Sequence, residues 1–211
     1  MRFIHPKRYW RELKEAYHIW RFKRQARICG VIVKIGNDVR LEHCRVTSDF
    51  HTHTHTHTHT QGARSLLKIG DGCYLKYVVF GFYGANNEIE MGEGTEINAH
   101  DNGRETYFQC GENTEIIVGQ DCLFSNSIMV CTTDFHRVYD EERAILNQNR
   151  SVRIGKHVWV GQKAYICKGV ELGDNVVVGA CSVVTKSFAH GNCVIVGNPG
   201  SIRKDNIQWE M

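Results

Sequence analysis

Of the groups in these 211 residues that could do chemistry, the densest set lies in one polar stretch, CTTDFHRVYDEERAILNQNRSVRIG, from Cys131 to Gly155. His136 stands there between Asp134 and Asp140, with Tyr139 and Asn147 close by. An imidazole titrates near neutral pH, so it can take a proton in one step and return it in the next. Such a base needs an orienting partner on its other nitrogen, and Asp134, Asp140 or a backbone carbonyl would each serve. A lone histidine in a polar loop is more often structural. The pattern around it has to carry the assignment.

The other reactive groups argue mainly by exclusion. The nine cysteines never form C-x-x-C and are odd in number. That speaks against a zinc knuckle and a disulfide framework, and for a reducing compartment. Residues 51–60 are five copies of His-Thr. Alternate histidines on an extended strand could hold a metal, but a tract of CA dinucleotides in the gene encodes the same dipeptide. Such a tract slips during replication, so the favoured reading is a phase-variable gene with a surface loop that tolerates any copy number, with inert low complexity as the alternative, and no metal is expected. Outside the tract no H-x4-H pair is present to build a three-histidine zinc site of the γ-carbonic anhydrase type. No glycine-rich nucleotide fingerprint occurs, which disfavours NAD and ATP chemistry.

The elements that must position His136 are written in a period of six. From Ile154 an aliphatic returns at Val160, Ile166, Leu172, Val178 and Val184, usually followed by glycine (Gly155, Gly161, Gly173, Gly179). Four residues after each comes something small or β-branched: Val158, Ala164, Val170, Val176, Ser182. This fits neither a helix at 3.6 nor an alternating strand at 2. It fits short strands and corners stacked coil on coil, each coil satisfying its backbone through its neighbours. The same register begins at Ile35-Gly36 with Val39 and Leu41, and resumes at Ile69-Gly70 with Cys73 and Leu75. It continues through Met91-Gly92, Ile97, Cys110-Gly111, Ile116, Val118-Gly119, Phe124 and Val130. Segments 81–87 and 100–107 read as loops bulging from corners, where a solenoid tolerates insertion.

Repeat and polar stretch together resemble the hexapeptide-repeat acyltransferases, whose left-handed parallel β-helix takes three hexads per triangular coil. Within that family the stretch is similar to the loop of the cell-surface saccharide O-acetyltransferases, the sialic-acid type included. Their pattern is a histidine among small polar residues, an aspartate, an asparagine, and a strand ending V-W-I-G. The matching residues are Asp134, His136, Tyr139, Asp140, Asn147 and Val158-Trp159-Val160-Gly161. GNPGSIRK, residues 197–204, matches the family's closing G-N-P-A-x-x-I, with Gly200 for the usual alanine, and 188–190 lacks the usual prolines. The likeness is strong from Val118 to Lys204 and weak before Ile69.

The resemblance implies acetyl transfer from acetyl-CoA to a hydroxyl of a bacterial surface saccharide: capsule, O-antigen or sialic acid. It makes His136 the general base and puts Trp159 beside it, with packing against a neighbouring subunit or the cofactor as an equal alternative for the indole. Asp134, Tyr139, Asp140 and Asn147 would face the substrate. Gly161, Gln162, Ala180, Thr185 and Lys186 would line the acetyl-CoA groove, with Lys186, Arg203 and Lys204 on its phosphates. It implies a homotrimer with active sites between subunits. A small-molecule acceptor and a non-catalytic β-helix scaffold are the competing readings.

Composition places the remaining pieces. Net charge is +3, but residues 1–27 hold nine Lys and Arg against Glu12 and Glu15. Trp10, Leu13, Tyr17 and Trp20 recur at three and four, so residues 7–27 read as a helix. Packing of that helix on the β-helix or a neighbouring subunit is favoured; contact with an anionic membrane surface is the alternative, and nucleic acid is disfavoured for want of a groove-reading motif. The opening MRFIHPKRYW lacks a signal-peptide core and no stretch approaches a membrane span, so a cytoplasmic protein is expected, or one peripheral at the inner membrane. The expected fold is all-β: a basic helical segment at 1–30, a left-handed β-helix at 31–204 with the 51–60 loop, and a tail at 205–211.

Overall fold

The computed structural model describes residues 6–48, 64–99 and 105–211. The His-Thr tract and residues 100–104 lie outside the described residues. Helix α1 (Pro6–Ile28) leads into six coils of three short strands. The first is β1 (Val31–Ile35), β2 (Arg40–Glu42) and β3 (Arg45–Ser48); the second is β4 (Ser65–Ile69), β5 (Tyr74–Lys76) and β6 (Val78–Phe82). Then come β7 (Glu88–Met91), β8 (Glu96–Asn98) and β9 (Thr106–Cys110), followed by β10 (Glu115–Val118), β11 (Leu123–Phe124) and β12 (Met129–Cys131). The last two coils are β13 (Val152–Ile154), β14 (Trp159–Val160), β15 (Tyr165–Ile166), and β16 (Glu171–Leu172), β17 (Val177–Val178), β18 (Val183–Val184). β19 (Cys193–Val196) and β20 (Ser201–Asp205) close the chain.

Every third strand pairs in parallel, which makes a three-faced prism, a left-handed β-helix. Face A runs β1-β4-β7-β10-β13-β16 and face C runs β3-β6-β9-β12-β15-β18. Face B runs β2-β5-β8-β11-β14-β17 and is extended by β19 and an antiparallel β20. In the last two coils Ile154 pairs with Leu172, Val160 with Val178 and Ile166 with Val184, a step of eighteen residues or three hexads. All six aliphatics and the five small residues before the corners are buried, as the period requires. The corners between faces A and B turn through a column of left-handed residues, Asp38, Gly72, Gly94, Asp121, His157 and Asn175, with φ from +52° to +68°. Asn, Asp and Gly tolerate that conformation best. Coils stack so closely that a Cβ on Gly119 would sit 2.5 Å from the Gly155 carbonyl oxygen.

The prism is filled by aliphatics and, toward its N-terminal half, by a column of phenylalanines. Phe22 meets Phe80 edge-on at 6.1 Å, Phe80 stacks on Phe108 at 5.8 Å, and Phe108 meets Phe124 edge-on at 5.5 Å. Phe22 shows how α1 is seated: Phe22 and Ala26 are buried at 2% and 0% exposure, while Trp10 and Trp20 are 69% and 58% exposed. The helix thus packs on the β-helix, but through Phe22 and Ala26 and not through the Trp10–Leu13–Tyr17–Trp20 stripe that marked it as a helix. Two stripes lie on opposite sides of the helix, and the one able to plug the open end of the Phe80 column is buried. The loop boundaries also shift, because Gly81 and Phe82 belong to buried β6, and Thr106 and Tyr107 to β9.

The connections at 83–87 and 132–151 leave the same edge of the prism, between faces C and A. All nine cysteines are free. Burial pushes the thiols of Cys44 and Cys122 up to about 12, and that of Cys73 up to about 11, which keeps them unreactive. No helix of the described residues is long and apolar enough to cross a membrane.

Candidate active site

The polar stretch leaves the C/A edge after β12 and returns at β13. Its two ends are tied together: Thr132 N–H donates to the Gln109 carbonyl at 3.0 Å and Arg150 N–H to the Thr132 carbonyl at 3.0 Å. The buried Thr132 hydroxyl accepts from Gly111 N–H at 2.7 Å and meets the Thr114 hydroxyl at 2.6 Å. The excursion therefore starts from a rigid root.

Beyond the root lies an unusually tight turn. His136 N–H donates to the Asp134 carbonyl at 2.7 Å, with Phe135 between them at φ +64°. That three-residue turn is rare and strained for a residue with a side chain, and such strain gathers at functional sites. It is held from three sides. Phe135 N–H donates to the Thr133 hydroxyl at 3.1 Å, and the Phe135 ring meets Tyr83 edge-on at 5.2 Å. Asn147 donates to the Asp134 carboxylate at 2.9 Å and to the His136 carbonyl at 2.8 Å, while its own amide oxygen accepts Val138 N–H at 2.7 Å. Lys168, on the next coil, donates to the Asp134 carboxylate at 2.5 Å and to the Asn147 carbonyl at 2.9 Å.

The result is an exposed imidazole on a pinned loop. Among the described residues the His136 ring nitrogens take no hydrogen bond. Neither aspartate orients them here: Asp134 is engaged by Lys168 and Asn147, and Asp140 accepts Ala144 N–H at 2.7 Å. Asp140 caps a small hairpin in which Tyr139 bridges Ile145 and carries the Arg143 guanidinium 5.1 Å above its ring. Asn147 acts as a strut, its side-chain amide making all three of these hydrogen bonds within the loop. Lys168 was not legible in the sequence, since it occupies an ordinary outward hexad position.

Burial works to raise the Asp134 carboxyl, but the hydrogen bonds from Lys168 and Asn147 and the charges of Lys168 and Arg150 outweigh it and hold it below its ordinary 3.8. A lowered carboxylate adds stability above its unfolded pKa, and that share is lost as pH falls through the folded value. Amide-exchange protection of residues 133–147 is therefore expected to fade as pH drops below 3.8. Lys168→Met should raise exchange there about tenfold at neutral pH and flatten the pH profile, with global unfolding little changed. Unchanged exchange in the variant would show that the clamp holds nothing.

The remaining sequence-derived residues fall into separate groups. Trp159 lies on β14 in face B, 39% exposed, and face B is the side of the prism opposite the C/A edge that carries His136. One chain does not bring these two together. Trp159 is tilted against Trp209 at 6.0 Å, and Trp209 stacks on His157 at 4.0 Å and donates from Nε1 to the His157 carbonyl at 3.0 Å. The 205–211 tail is thereby folded back across face B. Gly161, Gln162 and Ala180 sit at corners between faces B and C, where a Cβ on Gly161 would lie 2.7 Å from Ala180 N. Thr185 and Lys186 follow β18 at the C/A edge, and Arg203 and Lys204 are exposed on β20. Among the described residues one set of metal-type ligands gathers, His190, Cys193 and Asp205 within 4.8 Å, but burial and then the Asp205 charge raise the Cys193 thiol, which disfavours the thiolate.

Residues 151–186 match the family model described as bacterial transferase hexapeptide, six repeats. A polysialic acid O-acetyltransferase of Neisseria meningitidis is 54% identical over 99 residues, covering 46% of this chain and 46% of the relative. The chain thus matches about half the length of that curated relative. The crystal structure of the polySia-specific acetyltransferase NeuO agrees with TM-score 0.62 at 22% identity, over 86% of this chain and 85% of that one. The structure of the polysialic acid O-acetyltransferase OatWY agrees with TM-score 0.61 at 23% identity, over 86% and 90%. At those identities the two structures establish the fold. With the repeat continued through six coils, this is a hexapeptide-repeat left-handed β-helix protein that resembles the polysialic acid O-acetyltransferases.

Proposed function

We propose that this protein transfers acetyl from acetyl-CoA to a hydroxyl of an acidic bacterial surface saccharide of the sialic-acid type. The observation that carries the reading is His136, exposed and without a hydrogen-bond partner among the described residues, on a strained turn clamped by Asn147 and Lys168. The half-chain likeness to a polysialic acid O-acetyltransferase supports the acceptor class. A sugar hydroxyl is a poor nucleophile at neutral pH. His136 takes its proton as the oxygen attacks the thioester carbonyl; the C–S bond then breaks, and the proton passes to the departing CoA sulfur. The tetrahedral oxyanion needs a donor, and the Trp159 indole N–H is suited to it.

Because one chain keeps Trp159 and His136 on opposite sides, the reading includes a homotrimer in which the C/A edge of one subunit faces the B side of the next. Gly161, Gln162 and Ala180 then line the groove opposite the histidine loop, with Lys186, Arg203 and Lys204 as cations for the CoA phosphates. Since acetyl-CoA is a cytoplasmic metabolite, the reaction belongs there. The exposed aromatic stripe of α1 is left for a neighbouring subunit or an anionic membrane surface, and vesicle flotation separates the two.

The test is release of CoA thiol from acetyl-CoA with and without polysialic acid, neutral dextran and free monosaccharides, with acetyl-CoA binding followed by thermal shift. Acceptor-dependent release with the acidic polymer is expected. Release with monosaccharides alone would move the acceptor to small molecules, and failure to bind acetyl-CoA would leave a scaffold.

A further inference from the structure

A second site stands apart from the histidine loop. Between α1 and the corners joining faces B and C lies a cleft of about 390 Å³, within the range of small-ligand sites. Three arginines line it, Arg21 and Arg24 from the helix and Arg45 from β3, together with His18 and His43. The one acidic side chain in its lining is Glu105, and that carboxylate is already taken, by Arg45 at 2.8 and 2.6 Å and by the Tyr107 hydroxyl at 2.8 Å. Arg21 and Arg24 are exposed and form no ion pair among the described residues; Arg24 instead lies 5.8 Å over the Trp20 ring.

The cleft also has a flat wall. His43, held at φ +54°, stacks on Tyr77 at 4.6 Å with ring planes 5° apart, and the His18 ring lies 5.8 Å from His43. Burial, and after it the neighbouring charges of His43 and Lys14, hold His18 below its ordinary value against the opposing charge of Glu42. Guanidinium forks beside a flat ring face suit a carboxylated sugar: the forks pair carboxylates and the ring packs on the sugar's apolar face. They suit neither a cation nor a neutral chain.

The cleft's place on the prism says why two sites would be used. Its His43 and Tyr77 corners lie on the B/C edge, the edge that also carries Gly161 and Ala180 further along. Four coils at about 4.8 Å each set the two regions roughly 19 Å apart. In the proposed trimer the histidine loop of the next subunit faces that groove, so a polymer lying along the edge reaches both the cleft and that loop; a short acceptor does not.

We infer that the cleft between α1 and the first coils binds a carboxylate-bearing saccharide chain, as a second contact for the polymer acetylated at the His136 loop. The inference rests on the proposed acceptor class, so the test reads binding separately from turnover. Long and short oligomers of sialic acid would be titrated onto the full chain without acetyl-CoA, using wild type, His136→Ala and the double variant Arg21→Gln/Arg24→Gln, whose two sites are surface positions of α1. Wild type and His136→Ala should bind long chains alike. The double variant should bind them about tenfold more weakly and show a KM for them raised by the same factor, with kcat and the KM for short acceptors unchanged. Unchanged long-chain affinity in the double variant would overturn the inference. So would wild type that binds phosphatidylglycerol vesicles through these arginines and no saccharide. If nothing is acetylated yet the double variant still loses long-chain binding, the proposed reaction falls and the cleft stands.

Discussion

His136→Ala is expected to lower acceptor-dependent acetyl transfer about 10³-fold, within the usual contribution of a positioned base. The loss should appear in kcat, with acetyl-CoA binding retained. The variant is informative because the loop does not depend on the ring. His136 is held through its backbone, its N–H on the Asp134 carbonyl and its own carbonyl on Asn147. Removing an exposed imidazole with no hydrogen bond among the described residues leaves the strained turn, the Lys168 clamp and the unfolding midpoint as they were. A variant of unchanged rate would remove His136 as the base and return it to a structural role. The same variant tests the shared site: mixed with Trp159→Ala chains, a subunit with an intact histidine can meet one with an intact indole, and part of the activity should return.

Phe108→Ala is expected to destabilise the fold by about 4 kcal/mol, the usual cost of emptying a buried aromatic site. Phe108 is fully buried on β9, stacked on Phe80 and edge-on to Phe124, so its removal cuts the aromatic column between α1 and the fourth coil. Collapse into the gap is limited, because coil spacing is set by the parallel ladders on both sides, Phe80 to Phe108 and Phe108 to Val130. Phe108→Leu keeps most of the volume and should cost about 1.5 kcal/mol. Denaturant midpoints at one protein concentration measure both, since assembly would otherwise shift them. A loss below about 1 kcal/mol for alanine would mean that the column relaxes more readily than close packing allows.

Most of the fold was readable from residue types because a stacked solenoid is nearly local. Ile154, Val160 and Ile166 each bury against the residue three hexads on, so period and corner follow from a short window of chain. His136, Asp134 and Asn147 stood out for a related reason: they share one excursion, and its residue types form a pattern that survives without knowledge of the rest. The struts were less visible. Asn147 and Asp140 read as substrate groups, whereas both spend hydrogen bonds on the loop's own backbone.

The sequence by itself determined the coil register and singled out the histidine excursion between β12 and β13, because each depends on neighbours close in the chain or spaced by a fixed period. Tertiary structure decided which stripe of α1 is buried, since both stripes have helical spacing and only the open end of the Phe80 column selects between them. It decided that Lys168 grips Asp134 thirty-four residues earlier, that Trp209 folds back beside Trp159, and that His136 and Trp159 stand on opposite sides of one prism. Those relations join residues with no common period, so they exist only once the coils are stacked.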